Sequence, residues 1–112
     1  MIVDSGKERV IELIDGDLDY GELGTGTTAV SATQTTLITE VTSTIETLSG
    51  TPNNKQLVID YNLDSITGNG NTYTEYATFI GTSDVMFNRV VFTGVPKTTS
   101  IEFQVKTIVN IP

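Results

Sequence analysis

Histidine, cysteine and tryptophan are all missing from this chain of 112 residues, and six basic side chains face fourteen acidic ones. Without His there is neither the commonest general base nor the commonest metal ligand, so no Ser-His-Asp or Cys-His site can be assembled from the chain itself. Without Cys there is no disulfide framework and no thiolate metal site. The net charge of -8 and pI near 4.1 oppose phosphate backbones and anionic lipid, so neither nucleic acid nor membrane is expected as a partner. No apolar run approaches the roughly 20 residues of a membrane-spanning helix, and Met1 to Ser5 does not read as a signal peptide. The absences together predict a chain made in the cytoplasm that is not an enzyme and carries no cofactor or metal.

What is present is threonine, 20 residues of it, in a chain that is 38% hydrophobic and 18% charged. Thr is costly in helix interiors and favoured on pleated, half-buried surfaces, so the bias predicts a sheet-rich protein. The length suits one domain over residues 1–112, large enough to bury a core without metal or disulfide support.

Ser5-Gly6-Lys7-Glu8 fits a capping box, and Val10, Leu13 and Ile14 follow at helical spacing before Gly16, which predicts a short helix over about residues 5–15. So short a helix is marginal alone and has to dock. A strand is expected from Asp17 to Leu23, followed by a glycine-rich loop, Gly24 to Thr28. Ser31-Ala32-Thr33-Gln34 repeats the capping spacing and predicts a helical turn over Ala32 to Leu37. Glu40 to Leu48 reads as a one-sided strand, and Gly50 to Asn54 as a turn. Gln56 to Leu63 alternates cleanly, with Leu57, Ile59, Tyr61 and Leu63 inward. Further strands are predicted over Thr72 to Ile80 and Val85 to Phe92, with a reversal at Gly94 to Lys97. The last strand alternates from Ile101 to Ile111 and is expected to run about 12 residues. Strands at regular turn spacing predict a mainly β fold, an antiparallel β-sandwich with a short N-terminal helix and one further short helical turn.

The segment with the most chemical content is Gly68 to Phe79, where Tyr73, Glu75, Ala77 and Phe79 share one face by period two. A carboxylate on an apolar face must be paired, accept hydrogen bonds or become neutral. The candidate partners are Arg89, which has the parity of Phe87 and Val91 on the next strand, and the backbone N–H groups of the Gly24-Thr25-Gly26 loop, which form an anion-accepting nest. Glu75 and Glu40 are the anions available to that nest. Glu75, Arg89, Gly24, Gly26 and Glu40 therefore form a predicted structural clamp. A glycosidase-like role for Glu75 needs a second carboxylate, and Asp60 is expected to face away. Asp15, Asp17 and Asp19 have the opening spacing of a calcium loop, but Tyr20 and Gly26 stand where its sixth-position Gly and twelfth-position Glu belong. Tyr20, Tyr61, Tyr73 and Tyr76 are read as core residues, with a sugar-binding platform as the alternative.

The order of these pieces resembles a family: small structural proteins and tail-fibre or baseplate-attachment domains of tailed bacteriophages and related archaeal viruses, such as the phage tail-collar fibre domain. The residues that carry the resemblance are Leu23 to Thr27, Gln34 to Val41, Asn71 to Phe79, Asn88 to Phe92, Val95 to Thr98 and the long final strand. The family's Glu-x-Gly-Leu-Phe stands here as Glu75-Tyr76-Ala77-Thr78-Phe79. Fibre proteins of this type continue into a long shaft, which is not found before Pro112. The resemblance implies a virion protein acting through protein–protein assembly, most readily a tail, tail-fibre or baseplate adaptor. A capsid decoration protein and a carbohydrate-binding module are the alternatives. It further implies other virion proteins as partners and a homo-oligomer, with a trimer favoured. Val10, Leu13 and Ile14 on the helix and Ile108 and Ile111 on the last strand are the candidate subunit contacts.

Overall fold

A computed structural model describes all residues, Met1–Pro112. One helix precedes seven strands: α1 (Asp4–Gly16), β1 (Leu18–Gly24), β2 (Glu46–Thr47), β3 (Ser49–Asn53), β4 (Gln56–Leu63), β5 (Thr72–Ile80), β6 (Val85–Pro96) and β7 (Phe103–Asn110). They form two antiparallel sheets, ordered β2-β1-β5-β6 and β3-β4-β7. The fold is mainly β, with a lone 3-10 turn at Thr42–Thr44, and has the two-sheet form of a β-sandwich. No helix is long and apolar enough to cross a membrane.

The core follows from alternation. Leu57, Ile59, Tyr61 and Leu63 of β4 turn inward and meet Leu23 of β1, Tyr73 and Tyr76 of β5 and Phe103 of β7. The Tyr61 and Tyr76 rings meet edge to face at 5.1 Å between centroids, an arrangement worth roughly 0.5–1.5 kcal/mol beyond area burial. Gly21 makes room for that pair, since a Cβ there would stand 2.6 Å from the Tyr61 ring. Tyr61 donates to Thr44 O at 2.5 Å, which ties the 3-10 turn to the opposite sheet.

Several elements fall differently from the sequence reading. α1 begins one residue before Ser5 with Val3 as its N-cap, so the Ser5–Glu8 box lies inside the helix and makes no side-chain cap. The residue it buries is Ile11, while Val10 and Leu13 stay exposed and Ile14 packs against the core edge. At Ser31–Gln34 the capping bonds form, with Ser31 N to Gln34 Oε1 at 3.3 Å, but no helix follows because the N–H groups of Ile38 and Thr39 are drawn to Glu75. The predicted strand over Glu40 to Leu48 is broken by the 3-10 turn. The predicted turn over Gly50 to Asn54 is mostly strand β3, and the reversal falls at Asn54 with φ +56. Pro52 is tolerated there because β3 is an edge strand. β6 continues through the predicted reversal to Pro96, and β7 spans 8 residues rather than 12.

The chief correction concerns β5. Its register against β6 shifts between Tyr73 and Glu75, so Tyr73 joins Tyr76 in the main core while Ala77 and Phe79 join Leu37 in a second cluster on the outer face. β5 is thus covered on both faces. The outer cover is the strap of residues 25–39, which has no regular secondary structure.

Candidate functional site: a buried carboxylate clamp beneath the strap

Glu75 lies on the outer face of β5, directly across from Gly24 on β1, and is fully buried. Its carboxylate accepts four hydrogen bonds. Oε1 receives Ile38 N and Arg89 Nε, each at 2.9 Å, and Oε2 receives Gly26 N at 2.7 Å and Thr39 N at 2.8 Å. Four acceptor positions are about what two carboxylate oxygens offer, so none remains for a ligand. Burial alone would raise the Glu75 pKa, but the N–H groups of Thr39, Ile38 and Gly26 and the Arg89 guanidinium outweigh it and hold the carboxyl below its usual range.

The strap is tied at both ends and in the middle. Gly24 bridges Glu40, Thr25 N donates to Thr39 O at 2.9 Å, and Thr74 Oγ1 donates to Gly26 O at 2.8 Å. Arg89 Nη1 reaches Thr28 O at 2.9 Å and Gln34 Oε1 at 3.3 Å. Glycine is required by proximity at two places. A Cβ at Gly24 would lie 2.5 Å from Glu75 Oε2, and one at Gly26 would lie 2.5 Å from Ile38 Cβ and 2.6 Å from Glu75 Oε2. Glu75, Arg89, Gly24 and Gly26 are thus brought into one cluster.

Glu40 is placed otherwise. It stands exposed beside Glu22, a β1 residue that the sequence reading passed over, and Glu22 is 1% exposed with Oε2 lacking a partner. Burial, then the nearby Glu40 charge and hydrogen bonding to Glu40, push the Glu22 pKa up to about 7, with a smaller contribution from Glu75. The second carboxylate near Glu75 is therefore Glu22. Asp60 belongs to the other sheet, where it pairs with Lys106 at 2.6 Å.

The remaining candidates separate. No three acidic side chains converge as metal ligands anywhere in the chain, so Asp15, Asp17 and Asp19 do not form a set. Asp19 instead meets Asp84, whose hydrogen bond raises its pKa. Tyr61, Tyr73 and Tyr76 are core residues, with the Tyr61 and Tyr76 hydroxyl pKa values raised by burial. Only Tyr20 is partly accessible, stacked on Phe79 at 4.6 Å. Lys97, also unforeseen, is 1% exposed and donates to Asn69 Oδ1 at 2.8 Å, closing the Gly68–Asn71 loop against the end of β6. The largest cavity, about 280 Å³, lies between the strap and β6, lined by Val30, Gln34, Met86 and Phe87 with their neighbours. Arg89 Nη2 and Gln34 Nε2 are buried without partners, as side chains committed to holding the strap.

No protein-family model, no curated protein and no solved structure matches this chain.

Proposed function

We propose that this protein is a structural component of a tailed-virus particle, acting in the tail, tail fibre or baseplate as an adaptor that works through protein–protein assembly. The observation that carries the non-catalytic part of this reading is the saturation of Glu75. The side chain best suited by sequence to act as a catalytic acid spends its acceptor positions on holding a strap to a sheet. Glu22 and Glu75 do have pKa values pushed in opposite directions, the pattern of an acid–base pair, but both are buried beneath the strap with no room for a substrate between them. The assignment to a virion rests on the order of sequence features that resembles tail-fibre and baseplate-attachment domains. A mainly β domain with charge -8 suits a part that must stay soluble until it meets its neighbours.

The test is location. Antibody raised against the chain and applied to particles purified from producing cells should decorate the tail or baseplate in electron micrographs. Label on the head would replace this reading with the capsid decoration one. Absence from the particles, together with a soluble monomer that binds glycans, would overturn it in favour of a carbohydrate-binding module.

A further inference from the structure

The two sheets present four edge strands, and three of them are protected by means that natural β proteins use against edge-to-edge pairing. β2 is two residues long. β3 contains Pro52 and lies under α1, so closely that a Cβ on Gly50 would overlap Asp15. β6 is irregular at two places against β5 and ends in Pro96. β7 has none of these protections. It pairs with β4 over eight consecutive residues without a register shift, and between Phe103 and Asn110 it holds no proline and no acidic residue.

The direction of its free backbone groups follows from one bond. Ile111 N donates to Lys55 O at 3.0 Å, in register with the β4–β7 ladder, so the odd-numbered residues of β7 turn their N–H and C=O groups toward β4. Gln104, Lys106, Ile108 and Asn110 therefore aim theirs away from the sheet. Their side chains also lie on the exposed face, where Ile108 is 58% exposed. The single charge on this strand, Lys106, is already paired with Asp60.

We propose that β7 is a self-association edge that takes the β7 strand of a second copy of this chain, antiparallel about a two-fold axis at Thr107. Directly opposed residues in an antiparallel pair share a face, so even-numbered residues must meet even and odd must meet odd. An axis at Lys106 would set two ammonium groups against each other, and an axis at Ile108 would shorten the ladder. The axis at Thr107 sets Thr107 on Thr107, Val105 on Val109, Gln104 on Asn110, and Ile108 along the aliphatic stem of Lys106. The result is a continuous six-stranded sheet across the dimer. Because the β7 edge holds no acidic residue, two chains of charge -8 meet there without adding carboxylates from the paired strands to the contact. This two-fold contact takes the place of the trimer that the resemblance implies, and it does not depend on the particle assignment.

Sedimentation of the full chain should give a dimer, and Ile108→Lys, which sets a second ammonium opposite Lys106, should halve the measured mass. The register is read separately, because the natural chain has no Cys. The Thr107 pair at the axis is of the close, non-hydrogen-bonded kind, with Cα atoms about 4.5 Å apart and within disulfide reach. Thr107→Cys should therefore form a covalent dimer on oxidation, while Val85→Cys on β6 should not. A monomer at the highest soluble concentration that also fails to cross-link through Thr107→Cys would overturn the proposal. So would a three-fold ring, or a dimer whose mass is unchanged by Ile108→Lys. If that variant does not fold, the cross-linking pair decides alone.

Discussion

Glu75 and Glu22 are two carboxyl groups buried beneath the same strap, on adjacent strands of the same sheet, and their environments pull them in opposite directions. Glu75 accepts three backbone N–H bonds and one guanidinium bond, and its pKa falls below the usual carboxylate range. Glu22 has an oxygen without a partner and another carboxylate beside it, and its pKa rises to about 7. Burial is the largest single influence on both and raises both. What separates them is the supply of donors. The strap brings its N–H groups to Glu75 and offers none to Glu22, so ionised Glu75 holds the strap down while Glu22 is accommodated best with its proton on.

The largest effect should come from Glu75→Gln. The amide turns an NH₂ group toward backbone donors and leaves Arg89 buried without its counter-charge. Breaking a buried pair from one side costs about 3–5 kcal/mol, and urea denaturation at neutral pH should show a loss of that order. The strap should loosen with it, read as faster amide exchange at Gly26, Ile38 and Thr39. A variant as stable as the natural chain would remove Glu75 from its role as clamp.

Much of this clamp is legible in the sequence, and its opposite is not. Period two puts Glu75 with Ala77 and Phe79, and the same count puts Arg89 on the facing side of the next strand. These are short-range regularities, so they survive without knowledge of the fold. Glu22 sits between Gly21 and Leu23, where nothing local marks it as buried. Its cover comes from residues 25–39, whose path is set by bonds to a side chain 36 to 49 positions away in sequence. Tyr73 shows the limit of simple alternation, because the register shift beside it reverses its face. β3 shows the limit of composition. Gly50-Thr51-Pro52-Asn53 has the residues of a turn, yet pairing with β4 and cover from α1 make it a strand.

The second effect is a pH dependence with two opposite slopes. A lowered pKa, as at Glu75, contributes stability that is present above the usual carboxylate range and lost as pH falls below it. A raised pKa, as at Glu22, works the other way. Between the ordinary value of 4.5 and the folded value of about 7, the native state holds a proton that the unfolded chain has released, so stability falls as pH rises through this window. At roughly 1.4 kcal/mol per pH unit, the Glu22 contribution across this window is at most a few kcal/mol. Stability should therefore peak on the mildly acidic side, and Glu22→Gln should remove the decline between about pH 4.5 and pH 7 while leaving the acid limb intact. Urea midpoints measured at intervals from pH 4 to pH 8 would show it. A flat profile from about pH 4.5 to pH 7 in the natural chain would mean that Glu22 is solvated and the contrast with Glu75 is lost.

The smallest effect sharpens the cause of that contrast. Two influences dominate the raised pKa of Glu22, burial first and the neighbouring Glu40 second, and only the second can be removed without touching the fold, because Glu40 is exposed. Glu40→Gln deletes the repelling charge and leaves an amide able to donate to the orphaned Glu22 oxygen. Carbon-detected titration of the Glu22 carboxyl should then show its midpoint moving down while staying above the ordinary value, and the decline in stability between about pH 4.5 and pH 7 should become shallower without disappearing. A midpoint that returned to the ordinary value would reverse the order of causes. It would make Glu22 one half of a repelling surface pair, and the strap would then be held by Glu75 over a site that is chemically open to water.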